Sequence, residues 1–441
     1  MNVEELFTKG LDFVLRDIQK KALWGEVYVE KTETLKIIYE PERIDELQTG
    51  EETGLSVRAI KKDLSTEFSA TNSIPQDFFK KLPLSFSTKK SFSKETLSQR
   101  LSFLQKVEAE IPQTHHIKHY RLLLLETRKE VLIITPEKEP VREKREYVRV
   151  AAIVVSERDG VLERGYEAAG YTLPFGQVRE REDFLYIGKR AAELALKMLS
   201  ARRAPAGVMP VVLSGEAGGT MIHEAVGHGL EADHAEEGLS VYSGKLGEKV
   251  ASELITVIDD PGLFPLYGSY KYDDEGSPAQ KVVLIERGIL KNFLYDRLTA
   301  LKHGKSPNGH GRRQNFKHIP IPRMANTYIA KGPHKPEEIL KSIERGLFVK
   351  KMGGGEVNPL TGDFVFEVRE GYYIDKGEIA YPVKGATLVG NGPKVLEIID
   401  MVGDDLHFEP GTCGKDGQGV PVSDAQPTIR VPELTVGGEL S

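Results

Sequence analysis

Apolar positions near the start of the chain fall at Leu6, Leu11, Phe13, Val14, Ile18 and Leu23. This stripe predicts a helix over 3–23. From Trp24 the pattern changes to alternation. Segments 26–31, 33–40 and 54–60 read as strands, with Gly50 to Gly54 marking a turn. Residues 61–115 are polar and weakly periodic, with a helix-like stretch over 93–109 and exposed connections over 65–75 and 84–93. Segment 121–135 predicts two strands joined at Thr127-Arg128-Lys129-Glu130. The charged run 137–146 predicts a solvated edge or hairpin rim, and 147–155 and 162–171 continue the sheet. The strongest helical period covers 182–202, where Ile187, Ala191, Leu194, Ala195 and Met198 share one face. Ala204-Pro205-Ala206-Gly207 ends it and makes the best domain boundary.

Beyond that boundary come a strand over 209–213, a helix of small residues, and then mostly strands and glycine turns. Strands are expected over 255–259, 281–286 and 289–295, with Arg287-Gly288 as a hairpin turn. Others are expected over 364–368, 371–374 and 378–383, with a turn at Asp375-Lys376-Gly377. Helices are expected over 336–346 and 394–401, with Pro393 well placed at a helix start. The class is α+β: a mixed α/β N-terminal domain at 1–204, divisible near 115/116, and a strand-rich domain at 205–441. A chain of 441 residues exceeds what one core spans, which agrees with at least two domains.

Composition narrows the function. Apolar residues make up 39% and charged residues 29%, a globular balance. A net charge of −6 argues against a nucleic-acid binder, which would carry a basic surface. A single cysteine excludes an internal disulfide framework. The N-terminus lacks a basic and apolar leader, and no run of about 18 apolar residues occurs, so no membrane segment is read and a cytoplasmic location is expected.

The candidate chemistry is concentrated in 218–233, G-G-T-M-I-H-E-A-V-G-H-G-L-E-A-D. His223 and His228 bracket Glu224 with one residue more than the H-E-x-x-H zinc pattern. On an ideal α-helix that spacing turns the second imidazole roughly 140° away from the first. A one-residue i→i+5 bulge would bring both to one side, and Gly227 and Gly229 make the backbone permissive there. The other reading is a glycine-weakened core helix with two unrelated histidines. Cys413, in a glycine-rich stretch over 411–417, could bring a thiolate to a distant ion or be a small buried hydrophobe.

Further segments make the chain resemble the TldD branch of the TldD/PmbA family of metallopeptidases. They are H-E-A-V-G-H-G-L-E-A-D (223–233), Y-S-G-K-L-G-E-K-V-A-S-E-L (242–254), D-D-E-G-S-P (273–278), G-H-G-R-R (309–313), P-R-M-A-N-T-Y (322–328), P-V-K-G-A-T-L-V-G-N-G (382–392), C-G-K-D-G-Q (413–418) and Q-P-T-I-R-V-P-E-L-T-V-G-G (426–438). The PmbA branch lacks the metal motif that this chain has whole. The resemblance implies one zinc ion held by His223, His228 and Cys413, with Glu224 beside a bound water as general base. It also implies an N-terminal meander-like sheet, a peptide substrate held in extended form, and pairing with a PmbA/TldE-like subunit or with a second copy.

Other positions invite roles. Glu231 and Asp233 could orient a ligand's free N–H or be solvated carboxylates. Arg312, Arg313 and Arg323 could bind a substrate carboxylate or carbonyl, or be surface arginines. Gly353-Gly354-Gly355 has no following G-K-[ST], so a tight turn at Gly354 that admits substrate backbone is expected rather than a phosphate cradle. His115, His116 and His119 alternate faces and share no surface easily. The alternative to an enzyme is a peptide-binding or regulatory subunit whose metal is structural. The acid at Glu224 and the lack of an obvious fourth ligand favour the enzyme.

Overall fold

The computed structural model describes residues 2–83 and 95–438; the expected connection over 84–93 and the start of the helix-like stretch lie outside them. Six antiparallel strands organise the N-terminal half: β1 (Ala22–Glu40), β2 (Arg43–Lys61), β3 (Thr66–Thr71), β4 (Ile117–Ile134), β5 (Val141–Arg158) and β6 (Val161–Tyr171). Their order is β3-β2-β1-β4-β5-β6, so one sheet takes strands from both sides of residue 115. The helix Ile187–Met198 packs its Ala191, Ala192 and Ala195 face on β5 and β6. The predicted N-terminal helix is two, Val3–Lys9 and Leu11–Lys21, broken at Gly10, whose φ is +91°.

Several expected turns are strand interiors, for one physical reason. Gly50 and Gly54 pair with Thr34 and Glu30 inside β2. Gly54 is needed because the Phe316 ring from the C-terminal half lies where a Cβ would stand. Thr127–Glu130 likewise sits within β4: Lys129 pairs with Glu30 at 3.2 Å and donates to the Gln314 carbonyl at 3.0 Å, while Glu130 accepts from Arg142 Nε at 2.8 Å. The charged run near 140 enters β5, where Glu143 and Arg145 are buried and Arg145 reaches Asp274 at 2.8 Å. Gly54, Lys129 and Arg145 thus mark the face where the two halves meet, while 135–140 form the hairpin between β4 and β5, as the rim reading expects.

The C-terminal half contains β7 (Arg202–Arg203), β8 (Gly207–Leu213), β9 (Val257–Asp259), β10 (Val282–Glu286), β11 (Ile289–Leu290), β12 (Gly311–Arg312), β13 (Ile321–Pro322), β14 (Asn326–Ile329) and β15 (Arg345–Val357). It continues with β16 (Asp363–Asp375), β17 (Glu378–Lys384), β18 (Thr387–Asn391), β19 (Met401–Val402), β20 (His407–Lys415), β21 (Gln418–Gln426) and β22 (Ile429–Gly437). One sheet runs β11-β10-β9-β14-β21-β20. In the other, β15, β8, β22, β18 and β16 pair in a closed ring. The helical segment after β8 touches β14 and β21 of the first sheet and β15 of the second, inside one continuous core.

The turns at Arg287-Gly288 and Lys376-Gly377 carry the paired positive φ of tight hairpins, as their sequence predicts. The expected strand over 289–295 shortens to β11, and the expected helix over 336–346 ends at Lys341, giving way to β15. Gly353 to Gly355 lie at register shifts within β15, not in a tight turn.

Candidate metal centre

The helical segment begins as Thr220–Ile222, widens to an i→i+5 turn over His223–Gly227, and tightens to a 3-10 turn over His228–Leu230. The His228 N–H donates to the His223 carbonyl, five residues back. The widened turn expected between the histidines is therefore present. Gly227 does not serve it by unusual dihedrals: φ −58° and ψ −51° are ordinary helix. A side chain there would run into Met324, so the glycine is needed for packing. Gly219 similarly brings the start of the segment against the backbone of β21.

With this geometry the two imidazoles stand at 90° with ring centroids 5.0 Å apart. Cys413 lies on β20 rather than in a loop, beside the hairpin turn Asp416-Gly417. Its Sγ is 3.5 Å from His228 Nε2, and the ligand atoms of His223, His228 and Cys413 all lie within 4.8 Å of one another. All three residues are buried.

Each histidine is oriented through its other nitrogen. His223 Nδ1 lies 2.7 Å from Asp424 Oδ1, and His228 Nδ1 lies 2.9 Å from Glu231 Oε2. A carboxylate on Nδ1 sets the tautomer and leaves Nε2 to face an ion. Two imidazole nitrogens and a thiolate with one position left open suit zinc in its catalytic arrangement. Burial opposes charge on all three groups, but their mutual contact prevails. The Cys413 thiol is held well below its usual value by the two imidazoles. His223 is held well above its usual value by Asp424 and Cys413, and His228 is raised to about 10 by Glu231 and Cys413. These directions all favour a proton shared between sulfur and imidazole over a neutral thiol, and a divalent cation bound there would take the proton's place.

Glu224 is half-buried and makes no hydrogen bond or ion pair among the described residues. Of the two acids after the segment, Glu231 orients His228, whereas Asp233 pairs with Lys415 Nζ at 2.6 Å. Asp424 was not singled out from the sequence; its one signal is its placement in S-D-A-Q, eleven residues beyond Cys413 on the partner strand. The His115 and His116 rings lie 3.9 Å apart, but His116 meets the Glu157 carbonyl and His119 approaches Glu40, so the three upstream histidines do not share one centre.

The three arginines lie in the interior instead of on loop surfaces. Arg312 donates to the carbonyls of Met324 at 2.6 Å and Pro421 at 2.8 Å. Arg323 donates to those of Cys413 at 2.5 Å and Gln418 at 3.2 Å. Arg313 pairs with Glu26 and donates to the Asp274 carbonyl at 2.8 Å. Arg312 and Arg323 therefore clamp the hairpin that carries Cys413.

A trench lies near the centre but is lined by none of His223, Glu224, His228 or Cys413. Two adjoining cavities, of about 330 and about 390 Å3, share Glu167, Glu216, Lys351 and Glu409. Their walls include β6 and β20, each the last strand of its sheet. The trench reaches Gly354, Thr220 (one turn ahead of Glu224) and Gly411 (two residues from Cys413). No described helix is long and apolar enough to cross a membrane.

Comparison with known proteins finds matches along most of the chain. Residues 206–438 match the PmbA/TldA metallopeptidase C-terminal domain, 90–199 the central domain and 25–75 domain 1. The metalloprotease TldD homolog of Buchnera aphidicola is 34% identical over 99% of this chain and 95% of its own length. That of Haemophilus influenzae is 40% identical over 74% and 69%. A zinc metalloprotease TldD homolog of Saccharolobus solfataricus is 36% identical over 53% and 52%. Among solved structures, TldE from Thermococcus kodakarensis superposes with a TM-score of 0.76 at 18% identity, covering 97% of this chain and 99% of that one. A candidate DNA gyrase modulator from Thermotoga maritima gives 0.78 at 21% identity, covering 97% and 99%; both show the same fold. The chain therefore belongs to the PmbA/TldD family, as a TldD-type metallopeptidase.

Proposed function

We propose that this chain is a zinc-dependent peptidase acting on unfolded or small peptides, with His223, His228 and Cys413 holding one ion and Glu224 as general base. The observation that carries it is the convergence of three ligand atoms within 4.8 Å, each imidazole already turned by a carboxylate. Zinc bound there would supply a water of lowered pKa and polarise the scissile carbonyl. The unpartnered Glu224 carboxylate is free to take a proton from the attacking water and return it to the leaving amine nitrogen. Asp424 and Glu231 hold the rings still. Arg312 and Arg323 act through the hairpin, fixing the height of the Cys413 backbone.

The trench supports a peptide in extended form, since main-chain hydrogen bonding to a sheet edge tolerates varied side chains. Gly354, with open space where a side chain would stand, lets such a backbone approach. The partner is a PmbA/TldE-type subunit, a reading supported by the shared fold of the TldE structure. The test compares wild type with Glu224→Gln, each with and without such a partner, for zinc content and cleavage of an unstructured peptide. Retained zinc with cleavage reduced about 10²-fold or more is expected; unchanged cleavage removes Glu224 from the mechanism. Cleavage by the isolated wild-type chain would favour a homodimer.

A further inference from the structure

We propose that Lys415 is the positioning residue that assembles the metal centre, by closing a ring of side chains through Glu231, His228 and Cys413. The inference rests on the zinc reading above. Lys415 and Cys413 lie two apart on β20, so both side chains leave the same face of the strand. From Cys413 Sγ the ring passes to His228 Nε2 at 3.5 Å and from His228 Nδ1 to Glu231 Oε2 at 2.9 Å. It returns from that same oxygen to Lys415 Nζ at 3.0 Å. The ammonium's remaining contacts are Asp233 Oδ1 at 2.6 Å and the Pro322 carbonyl at 3.3 Å, so all three of its donors are used.

This ring joins the two parts of the site through side chains, beside the His223–Asp424 bond. His228 and Glu231 belong to the turn that ends the helical segment; Cys413 and Lys415 belong to an edge strand nearly two hundred residues later. Glu231 is fully buried and its Oε1 has no partner, so its carboxylate is held by the two bonds at Oε2. Without the ammonium, Glu231 and Asp233 would be neighbouring carboxylates in the interior with no shared counter-ion. Like charges so placed repel, and the turn would move away from β20 and carry His228 off Cys413. Glu231, Asp233 and His234 together also have the spacing of a cation site, but the Lys415 ammonium already binds the two carboxylates.

The test uses the full chain as wild type, Lys415→Met and Lys415→Arg. Methionine keeps the buried stem and removes the charge; arginine keeps the charge. Zinc affinity is read by competition with a chromophoric chelator. Protection of Cys413, the sole cysteine, from alkylation is read by mass spectrometry. The expected result is affinity weakened about 10- to 100-fold in K415M, with parallel loss of protection and recovery of most of both in K415R. K415M affinity within about twofold of wild type, or a loss confined to melting temperature, overturns the proposal. Should K415M not fold, Lys415→Gln is read by the same two measurements. A wild-type chain that takes up no zinc refutes the zinc reading itself, and this inference with it.

Discussion

Gly219→Ala perturbs the link between the fold and the metal centre most directly. Gly219 has φ −83°, so alanine meets no backbone strain there. Gly219 is the N-cap of the segment, where alanine is less favourable than glycine, so propensity gives the substitution no advantage. The neighbours oppose it: a Cβ at 219 stands 2.6 Å from both the carbonyl carbon and the Cβ of Asp424. The former is backbone of β21 and cannot rotate away. Reaching ordinary contact requires the segment and the strand to part by about 1 Å. Asp424 is the partner of His223 Nδ1 at 2.7 Å, and a shift of about 1 Å puts that bond beyond hydrogen-bonding range.

The overpacking costs ~1–3 kcal/mol, and the lost bond to a charged group costs ~1.5–3 kcal/mol. For a unit of this size that is a melting-temperature fall of roughly 5–15 °C. Zinc affinity falls about 10- to 100-fold, as for loss of a group that orients a ligand. Thermal unfolding of metal-free protein and chelator competition measure the two effects. Asp424→Asn is the control: it removes the carboxylate but keeps the spacing, and should show the zinc loss with a smaller change in melting. A Gly219→Ala protein that melts within about 2 °C of wild type and binds zinc normally would refute the reasoning.

Replacing Cys413 with serine should leave the chain folded but unable to retain zinc through dialysis against a chelator; full occupancy measured by metal analysis would remove Cys413 from the ligand set. Stripping zinc from wild type should lower the melting temperature by mass action, by ~2.7 kcal/mol of stability where free zinc stood at a hundred times its Kd, and a melting curve indifferent to chelator would contradict binding to the folded state. Asp296 gives a pH test far from the metal ligands in sequence: burial, then Glu275, raises its carboxyl to about 7 from 3.8. The unfolded chain loses that proton first, so its stabilising contribution is complete below 3.8 and lost as pH rises through about 7. Asp296→Asn keeps an acceptor for the Thr299 N–H and should flatten that decline; an unchanged pH profile of melting would show that Asp296 does not carry it.

Much of the site was legible because its geometry is local. The five-residue step from His223 to His228 demands a widened turn if both imidazoles are to share an ion, and that turn is present. Glu231 lies close enough in sequence to His228 to be a candidate for orienting it. Asp424 and Lys415 were not legible in those roles, since nothing in their own surroundings says which distant imidazole or carboxylate they will meet. The arginines were misjudged for a similar reason: glycine and proline around them signal irregular chain, but not whether that chain runs over the surface or through the interior.

By itself, then, the sequence determined what depends on backbone sterics and periodicity over a few residues. These are the amphipathic face of Ile187–Met198, the hairpins at Arg287-Gly288 and Lys376-Gly377, and the bulged spacing of the histidines. Tertiary structure decided what depends on two distant surfaces touching. Gly54, Gly219 and Gly227 are small because Phe316, the β21 backbone and Met324 lie against them. The charges within β4 and β5 stay in strand because partners across the sheet and in the other half neutralise them. Cys413 reaches the histidines only because β20 pairs with β21 and β21 with β14. Register between strands so far apart is set by the packing of the whole core, which no window of neighbouring residues contains.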